Sequence, residues 1–328
     1  MHCQFEAIRE DVPGSRWQAL FQKRWPGYCR WFLRDSHHFR PSYLSCRRAL
    51  KTYMPELVPL YEQLVNLAGE GDLEARFLSL WCPPSYITGC TQAVWHDPQG
   101  LQQPMLIRNY DYVPALLEGS WLATRWCGQS VLAMSDCLWG VLDGINESGL
   151  VASLTYGGSR EIGEGFGIPL VLRYVLEVAT STAEAIVILK RIPVHMSYNV
   201  SLLDRQGHWA TVFLGPNRQA EVLYQPVVAN HQHQIQWPAH ARATKTLERE
   251  AALNNIVKKS MDCHAIERAL LKPPLFQTSY NKGYGTLYTA RYNPYDLTAE
   301  LIWPNQRWLQ HCQDIQEGSY LVDFGYSY

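Results

Sequence analysis

Apolar residues in the first quarter of the chain recur at helical steps. Leu57, Leu60, Leu64 and Leu67 fall three and four residues apart and mark one face of a helix. Residues 14–80 read as helical, until Cys82-Pro83-Pro84 breaks the pattern and delivers the chain extended into residue 85. From there the texture changes to short runs of strand formers: 86–95, 104–110, 139–154, 197–203, 208–213, 284–293 and 297–303. The run 139–154 reads as a hairpin, because Asn146-Glu147-Ser148-Gly149 separates two strand-forming stretches. Helical pairs interrupt the strands at 168–179 and 182–191, with Ser181 and Glu184 spaced as a capping box, and a second helical block spans 239–271. No repeat or low-complexity segment is present. Strands joined by hairpins, alternating with blocks of helices, predict antiparallel sheets with helices layered outside, an α+β architecture.

Composition narrows the class. With 47% hydrophobic and 18% charged residues in 328, the chain can bury a large core. A formal net charge of −1 gives no electrostatic case for nucleic acid or an anionic membrane as partner. The N-terminus lacks a signal-peptide apolar region, and the best apolar window, IPLVLRYVLEV, is broken by Arg173. A soluble, cytoplasmic protein is expected. The nine cysteines are scattered, odd in number and contain no CxxC, so reduced thiols are expected, with no disulfide framework, metal or other cofactor.

One cysteine stands apart. Gly89-Cys90 places a small, flexible residue directly before a thiol inside a strand-like run. A cysteine is a good nucleophile only as thiolate, which calls for a base or a cationic neighbour. No papain-like C-G-x-C-W signature surrounds Cys90. Cutting the chain before Cys90 supplies a different base, its own α-amine, whose pKa of about 7.7–8.0 suits proton transfer near neutrality better than a lysine at about 10.4. The thiol can make that cut by attacking the preceding carbonyl, and glycine lets the backbone bend for the attack. On the dipeptide alone the better reading is plainer: a strand bulge beside a buried, inert cysteine. Arg108 and Asp111, in IRNYDY, shift the balance. Asp111 could orient the new amine, and Arg108 could favour the thiolate. In a regular strand these two face opposite sides, so the pair implies a turn or bulge at Asn109-Tyr110.

TGCTQ, RNYDY, NESGLVASLTYGG, SYNVSLLDRQGHWA and VVANH, in that order, resemble the N-terminal-nucleophile hydrolases. More narrowly they resemble the isopenicillin-N acyltransferase (carcinine hydrolase-like) family, relatives of bile-salt hydrolase, penicillin V acylase and acid ceramidase, over residues 80–305. The resemblance implies a four-layer αββα sandwich of two antiparallel sheets. It implies a helical pro-segment, 1–89, released by self-cleavage between Gly89 and Cys90, and a catalytic part, 90–328, the two staying together as one domain. Cys90 matches the nucleophile, Arg108 the arginine beside the thiolate, Asp111 the carboxylate that holds the α-amine and Asn199 the oxyanion donor. The bile-salt relatives carry an asparagine where Thr155 or Tyr156 stands here, which leaves the second oxyanion donor open. Arg242 matches loosely an arginine that braces the site.

The expected activity is thus cleavage of a small N-acyl amide, or transfer of its acyl group, through a Cys90 thioester. The expected partners are that substrate and the chain's own cleaved segment; a homo-oligomer is compatible with the sequence. One alternative is a degenerate member that never cleaves and binds a ligand or partner. Another is a cysteine protease with His195 or His231 as base, His195 also being placed to line the pocket. His231 and His233 have no third partner at metal-ligand spacing, and His37-His38 read as structural. The glycine-rich run 157–167 lacks a phosphate-loop pattern and reads as a mobile loop over the site, hinged at Gly165 and Gly167.

Overall fold

The computed structural model describes residues 2–34, 40–260 and 262–325; His37 and His38 lie outside them. The first element is a strand, β1 (His2–Glu10), followed by helices α1 (Ser15–Leu33), α2 (Tyr43–Tyr53), α3 (Val58–Leu67) and α4 (Asp72–Leu78). Leu60 and Leu64 face the core from α3, as their spacing predicts. After an irregular stretch come β2 (Gly89–Trp95), β3 (Met105–Tyr112), β4 (Ser120–Thr124), β5 (Val131–Asp136), β6 (Gly140–Asn146) and β7 (Val151–Tyr156). Helices α5 (Ile168–Val178) and α6 (Thr182–Arg191) follow. Ser181 caps α6 by accepting from the Glu184 N–H, while Glu184 reaches back to the Thr180 N–H at 2.7 Å. The chain continues through β8 (Tyr198–Leu203), β9 (Trp209–Leu214), β10 (Glu221–Leu223), β11 (Val227–Val228), α7 (Pro238–Thr244), α8 (Thr246–Lys259) and α9 (Cys263–Leu270). It closes with β12 (Gly285–Asn293), β13 (Thr298–Trp303), β14 (Gln306–His311) and β15 (Gly318–Asp323).

Among the described residues these strands make two sheets, ordered β10-β9-β8-β7-β6-β5-β4-β1-β15 and β11-β2-β3-β12-β13-β14. All pairings are antiparallel except β1 with β4. The sheets face each other: Phe5 on β1 packs edge-on against Tyr288 and Trp303, and Gln92 on β2 bonds Ser153 and Ser201 across the gap. Helix α5 covers the outer face of the larger sheet, with Pro169 against Gly140. Helices α8 and α9 cover the smaller one, where Leu253, Ile266 and Leu270 pack on Ala93, Trp95 and Ile107. Because both faces of β2 are covered, all seven of its residues are buried and show no polar/apolar alternation. The layers are αββα.

Three expectations are corrected. The N-terminal segment is not wholly helical: β1 pairs with β4 and β15, so residues before and after Gly89 share one sheet. No bulge separates Arg108 from Asp111, since β2 and β3 pair without interruption from Gly89↔Asp111 to Trp95↔Met105. The irregularity falls on the neighbouring β12, between Thr286 and Tyr288. The glycine-rich run is anchored: Phe166 is fully buried, and a Cβ on Gly165 would lie 2.4 Å from the Val194 backbone, so close approach, not hinging, requires that glycine.

Candidate active site

Uninterrupted pairing divides the site between the two faces of one sheet. Cys90, Arg108 and Tyr110 project inward, between the sheets, while Thr91, Asn109 and Asp111 project outward toward α8 and α9. The Cys90 thiol is fully buried, 2.9 Å from Arg108 Nη2 and 3.6 Å from Thr88 Oγ1. Arg108 is fixed by Asp143 at 2.6 Å and the Leu142 carbonyl at 3.0 Å, and Asp143 in turn accepts from the Tyr288 hydroxyl at 2.7 Å and from the Tyr292 hydroxyl. Burial pushes the Cys90 thiol above its ordinary value, and Arg108 opposes that push. Burial alone would lower Arg108, yet Cys90 and Asp143 together hold it above its usual range, so it stays a cation.

On the outer face Asp111 accepts from Arg249 Nη1 at 2.8 Å and from Thr286 Oγ1 at 2.6 Å. Arg249 is fully buried and also reaches Thr91 Oγ1, the Thr244 carbonyl and Asn230 Oδ1, the last at 2.6 Å. Asn230 lies just past the end of β11, where the ladder with β2 runs out. Its Oδ1 takes up the Cys90 backbone N–H at 2.9 Å, a donor the strand would otherwise leave unpaired. Two donors on that oxygen orient the amide, so Nδ2 points to the Thr88 and Tyr156 carbonyls at 3.4 Å.

The other expected residues sit differently. Asn199 faces inward on β8, but its amide nitrogen is occupied by Thr155 Oγ1 and by the Ala229 and His231 carbonyls, at 3.0–3.1 Å. It braces the segment that carries Asn230, as does Thr155, whose hydroxyl bonds the Ala229 carbonyl at 2.9 Å. The Tyr156 hydroxyl is turned to the Ser159 carbonyl, and only its main-chain oxygen meets Asn230. Arg242 is exposed on α7; the chain turns through Lys245, in a left-handed conformation, and Arg249 on the next helix reaches the site instead. His195 bonds the Phe166 carbonyl, and burial lowers its pKa to about 4. His231 is held by Thr246 and Glu250. Neither histidine hydrogen-bonds Cys90. Sequence reasoning overlooked Arg249 and Asn230; the second had a signal, since it stands in the VVANH motif.

The sequence profile of the family described as acyl-coenzyme A:6-aminopenicillanic acid acyl-transferase matches residues 97–308, well over half of the chain. The chain belongs to this family. Within the matched span lie Arg108, Asp111, Asn230 and Arg249; Gly89-Cys90 stand just before it. Among solved structures, the chain is similar to penicillin V acylase from Agrobacterium tumefaciens, at 15% identity over 68% of this chain and 86% of that one, with a TM-score of 0.46. It is also similar to a mutant of conjugated bile acid hydrolase from Clostridium perfringens, at 13% identity, 73% and 98% coverage and a TM-score of 0.49. A third similar structure is the Caenorhabditis elegans ortholog of N-acylethanolamine-hydrolyzing acid amidase, at 16% identity, 71% and 100% coverage and a TM-score of 0.47. A search of the curated proteins finds no significant match. No helix among the described residues is long and apolar enough to cross a membrane.

Proposed function

We propose that this acyltransferase-family protein is a self-processing cysteine amidohydrolase that cleaves a small N-acyl amide through a Cys90 thioester. The observation that carries this reading is the pair of contacts on Cys90: its thiol lies 2.9 Å from Arg108, and its backbone nitrogen, the future α-amine, lies 2.9 Å from Asn230. Processing begins when Sγ attacks the Gly89 carbonyl and the Gly89–Cys90 C–N bond breaks, leaving a thioester and a free amine. Water then hydrolyses the thioester, releasing the Gly89 carboxylate and the thiol.

In turnover the α-amine takes the thiol proton as Sγ attacks the substrate carbonyl, and passes it to the departing amine. Water, activated by the same α-amine, resolves the thioester to the carboxylic acid. Asp111, with Arg249 behind it, orients the amine. Departure of Thr88 and Gly89 frees Asn230 Nδ2 from the Thr88 carbonyl, which makes Asn230 a better oxyanion donor than Asn199, whose amide is already committed. Hydrolysis is favoured over transfer because water is always at hand, whereas synthesis needs a site that excludes it. The two fragments stay together because β1 is inserted between β4 and β15.

The test is the intact mass of the wild-type protein beside Cys90→Ala. Two fragments of about 10 and about 27 kDa are expected from the 37.7 kDa chain, the larger beginning at Cys90, with the mutant uncut. One uncut chain in both would overturn the reading and leave a binding protein in its place.

A further inference from the structure

A buried hydroxyl beside the cleavage site has nothing to bond. Among the described residues the Tyr284 hydroxyl oxygen is shielded from solvent and has no hydrogen-bond partner. Burying a hydroxyl unpaired costs free energy, so a native fold keeps few of them. The backbone sets its position. Gly283, left-handed at φ +77°, turns the chain, and the Tyr284 N–H bonds the Ser279 carbonyl at 3.2 Å. Tyr284 stands directly before β12, two residues ahead of Thr286, whose hydroxyl reaches Asp111 at 2.6 Å on the outward face of the sheet.

Gly89 explains the missing bond. A Cβ on that glycine would lie 1.6 Å from the Tyr284 hydroxyl and 3.2 Å from Asp111 Cβ. The hydroxyl therefore rests on a bare Cα, on the face where Gly89 and Asp111 stand opposite each other. A methylene offers it no conventional hydrogen bond. The ionisable groups around the phenol are Asp111, Arg249 and Cys90. Burial pushes its pKa well above the ordinary phenol range, with Asp111 and Cys90 adding to the push and Arg249 opposing it. Tyr284 thus stays a neutral hydroxyl, able to donate one hydrogen bond and accept another.

Cleavage changes what lies against that oxygen. The Cys90 nitrogen keeps the N–H that Asn230 Oδ1 accepts at 2.9 Å. The bond it loses pointed to Gly89, so a new N–H and a lone pair take directions on the side that Gly89 occupied. We infer that Tyr284 is a positioning residue for turnover: once Gly89 has left, its hydroxyl accepts the new N–H of the Cys90 α-amine and donates in turn to Asp111. Two N–H directions are then fixed, by Asn230 and Tyr284, and the lone pair is left for the thiol. Asp111 can accept the phenol, because the oxygens bonded by Thr286 and Arg249 each keep a second lone pair. The inference rests on the thioester reading above and adds the residue through which Asp111 acts. It gives the hydroxyl no part in self-cleavage, since the hydroxyl has no partner before the bond breaks.

The test uses nitrogen-15-labelled cysteine. In the cut protein Cys90 is the only one of the nine cysteines with a free α-amine, so its nitrogen signal titrates apart from the amides. An ammonium has one more N–H to place than an amine, so an acceptor favours the charged form. Tyr284→Phe should therefore lower the α-amine pKa by about 1–2 units, the effect of one hydrogen bond to a charged group. Intact masses taken over time should show self-cleavage at the wild-type rate. On the uncut Cys90→Ala background the same change removes an unpaired hydroxyl, so the urea midpoint should hold or rise. An amine titration that does not fall, a Tyr284→Phe chain that stays uncut, or a lower midpoint on that background would overturn the role and leave the thioester reading intact. An uncut wild type would overturn both.

Discussion

Replacing Arg249 by methionine strikes the site where its charges are most deeply buried. The guanidinium bonds Thr91, Asp111, Asn230 and the Thr244 carbonyl, and methionine offers none of them a donor. Asp111 would keep only Thr286, stranded in a fully buried position. Breaking one side of a buried ion pair costs about 3–5 kcal/mol, a large part of the roughly 5–15 kcal/mol that holds a domain folded. The size of the loss should depend on pH. Burial already raises the Asp111 pKa above its ordinary 3.8, and Arg249 is the largest influence opposing that rise. Without Arg249 the folded pKa climbs further above the unfolded one. A carboxyl so shifted is tolerated while protonated, and its contribution is lost as pH rises through the folded value. The stability lost by Arg249→Met should therefore be greater at pH 8 than at pH 5, by about 1.4 kcal/mol for each unit of additional shift that falls between those two pH values. Urea unfolding at both pH values, on a Cys90→Ala background that keeps the chain whole, measures this. Adding Asp111→Asn should remove the pH dependence and recover part of the loss. Equal losses at both pH values, or no recovery in the double mutant, would refute the argument that Arg249 serves as the counter-ion of Asp111.

Arg108→Met should raise the thiol pKa further. Alkylation of the cut protein by iodoacetamide would then move to higher pH by about 1–3 units, the usual effect of one adjacent opposite charge, and an unmoved profile would remove Arg108 from the thiolate's surroundings. Asn230→Ala should lower kcat by about 10²–10³, as for a lost oxyanion donor. Asn199→Ala should act mainly on stability, by about 1–3 kcal/mol for the carbonyls it leaves unpaired; urea midpoints and turnover together decide between them, and the reverse ranking would return the oxyanion role to Asn199. Gly89→Ala should slow self-cleavage, because its Cβ would lie 1.6 Å from the Tyr284 hydroxyl. Tyr284→Phe in the same chain removes that oxygen and should restore part of the rate in a timed mass spectrum; equal rates for wild type and Gly89→Ala would show that this contact does not matter.

The sequence carried most of the architecture because its signals were local. Hydrophobic periodicity placed α3, α5 and α6, and the turn chemistry of Asn146 and Gly149 placed the β6–β7 hairpin. What it hid depended on partners far along the chain. β1 has no strand near it in sequence and exists only because β4 and β15 flank it. Asn230 and Arg249 are ordinary polar residues at the end of a two-residue strand and within a helix, and nothing beside them in the chain announces Cys90. Asn199 was singled out for its residue type in a familiar motif, yet hydrogen-bond supply decides its place. A side-chain amide has two N–H donors, and here both are taken up within the fold.

The expected bulge at Asn109-Tyr110 failed for a more instructive reason. It assumed that Arg108 and Asp111 must face the same way to act on one cysteine. A strand makes that unnecessary, because a residue at its end presents three directions at once. The Cys90 side chain points inward to Arg108, its N–H points along the sheet to Asn230, and the preceding residue lies opposite Asp111 on the outward face. Thiol and main-chain N–H thereby meet separate partners, and the buried arginines Arg108 and Arg249 stay apart with the sheet between them. A bulge would have turned Asp111 to the inner face, away from Arg249 on α8. Regular pairing through β2 and β3 thus keeps Arg108 beside the Cys90 thiol and Asp111 beside Arg249.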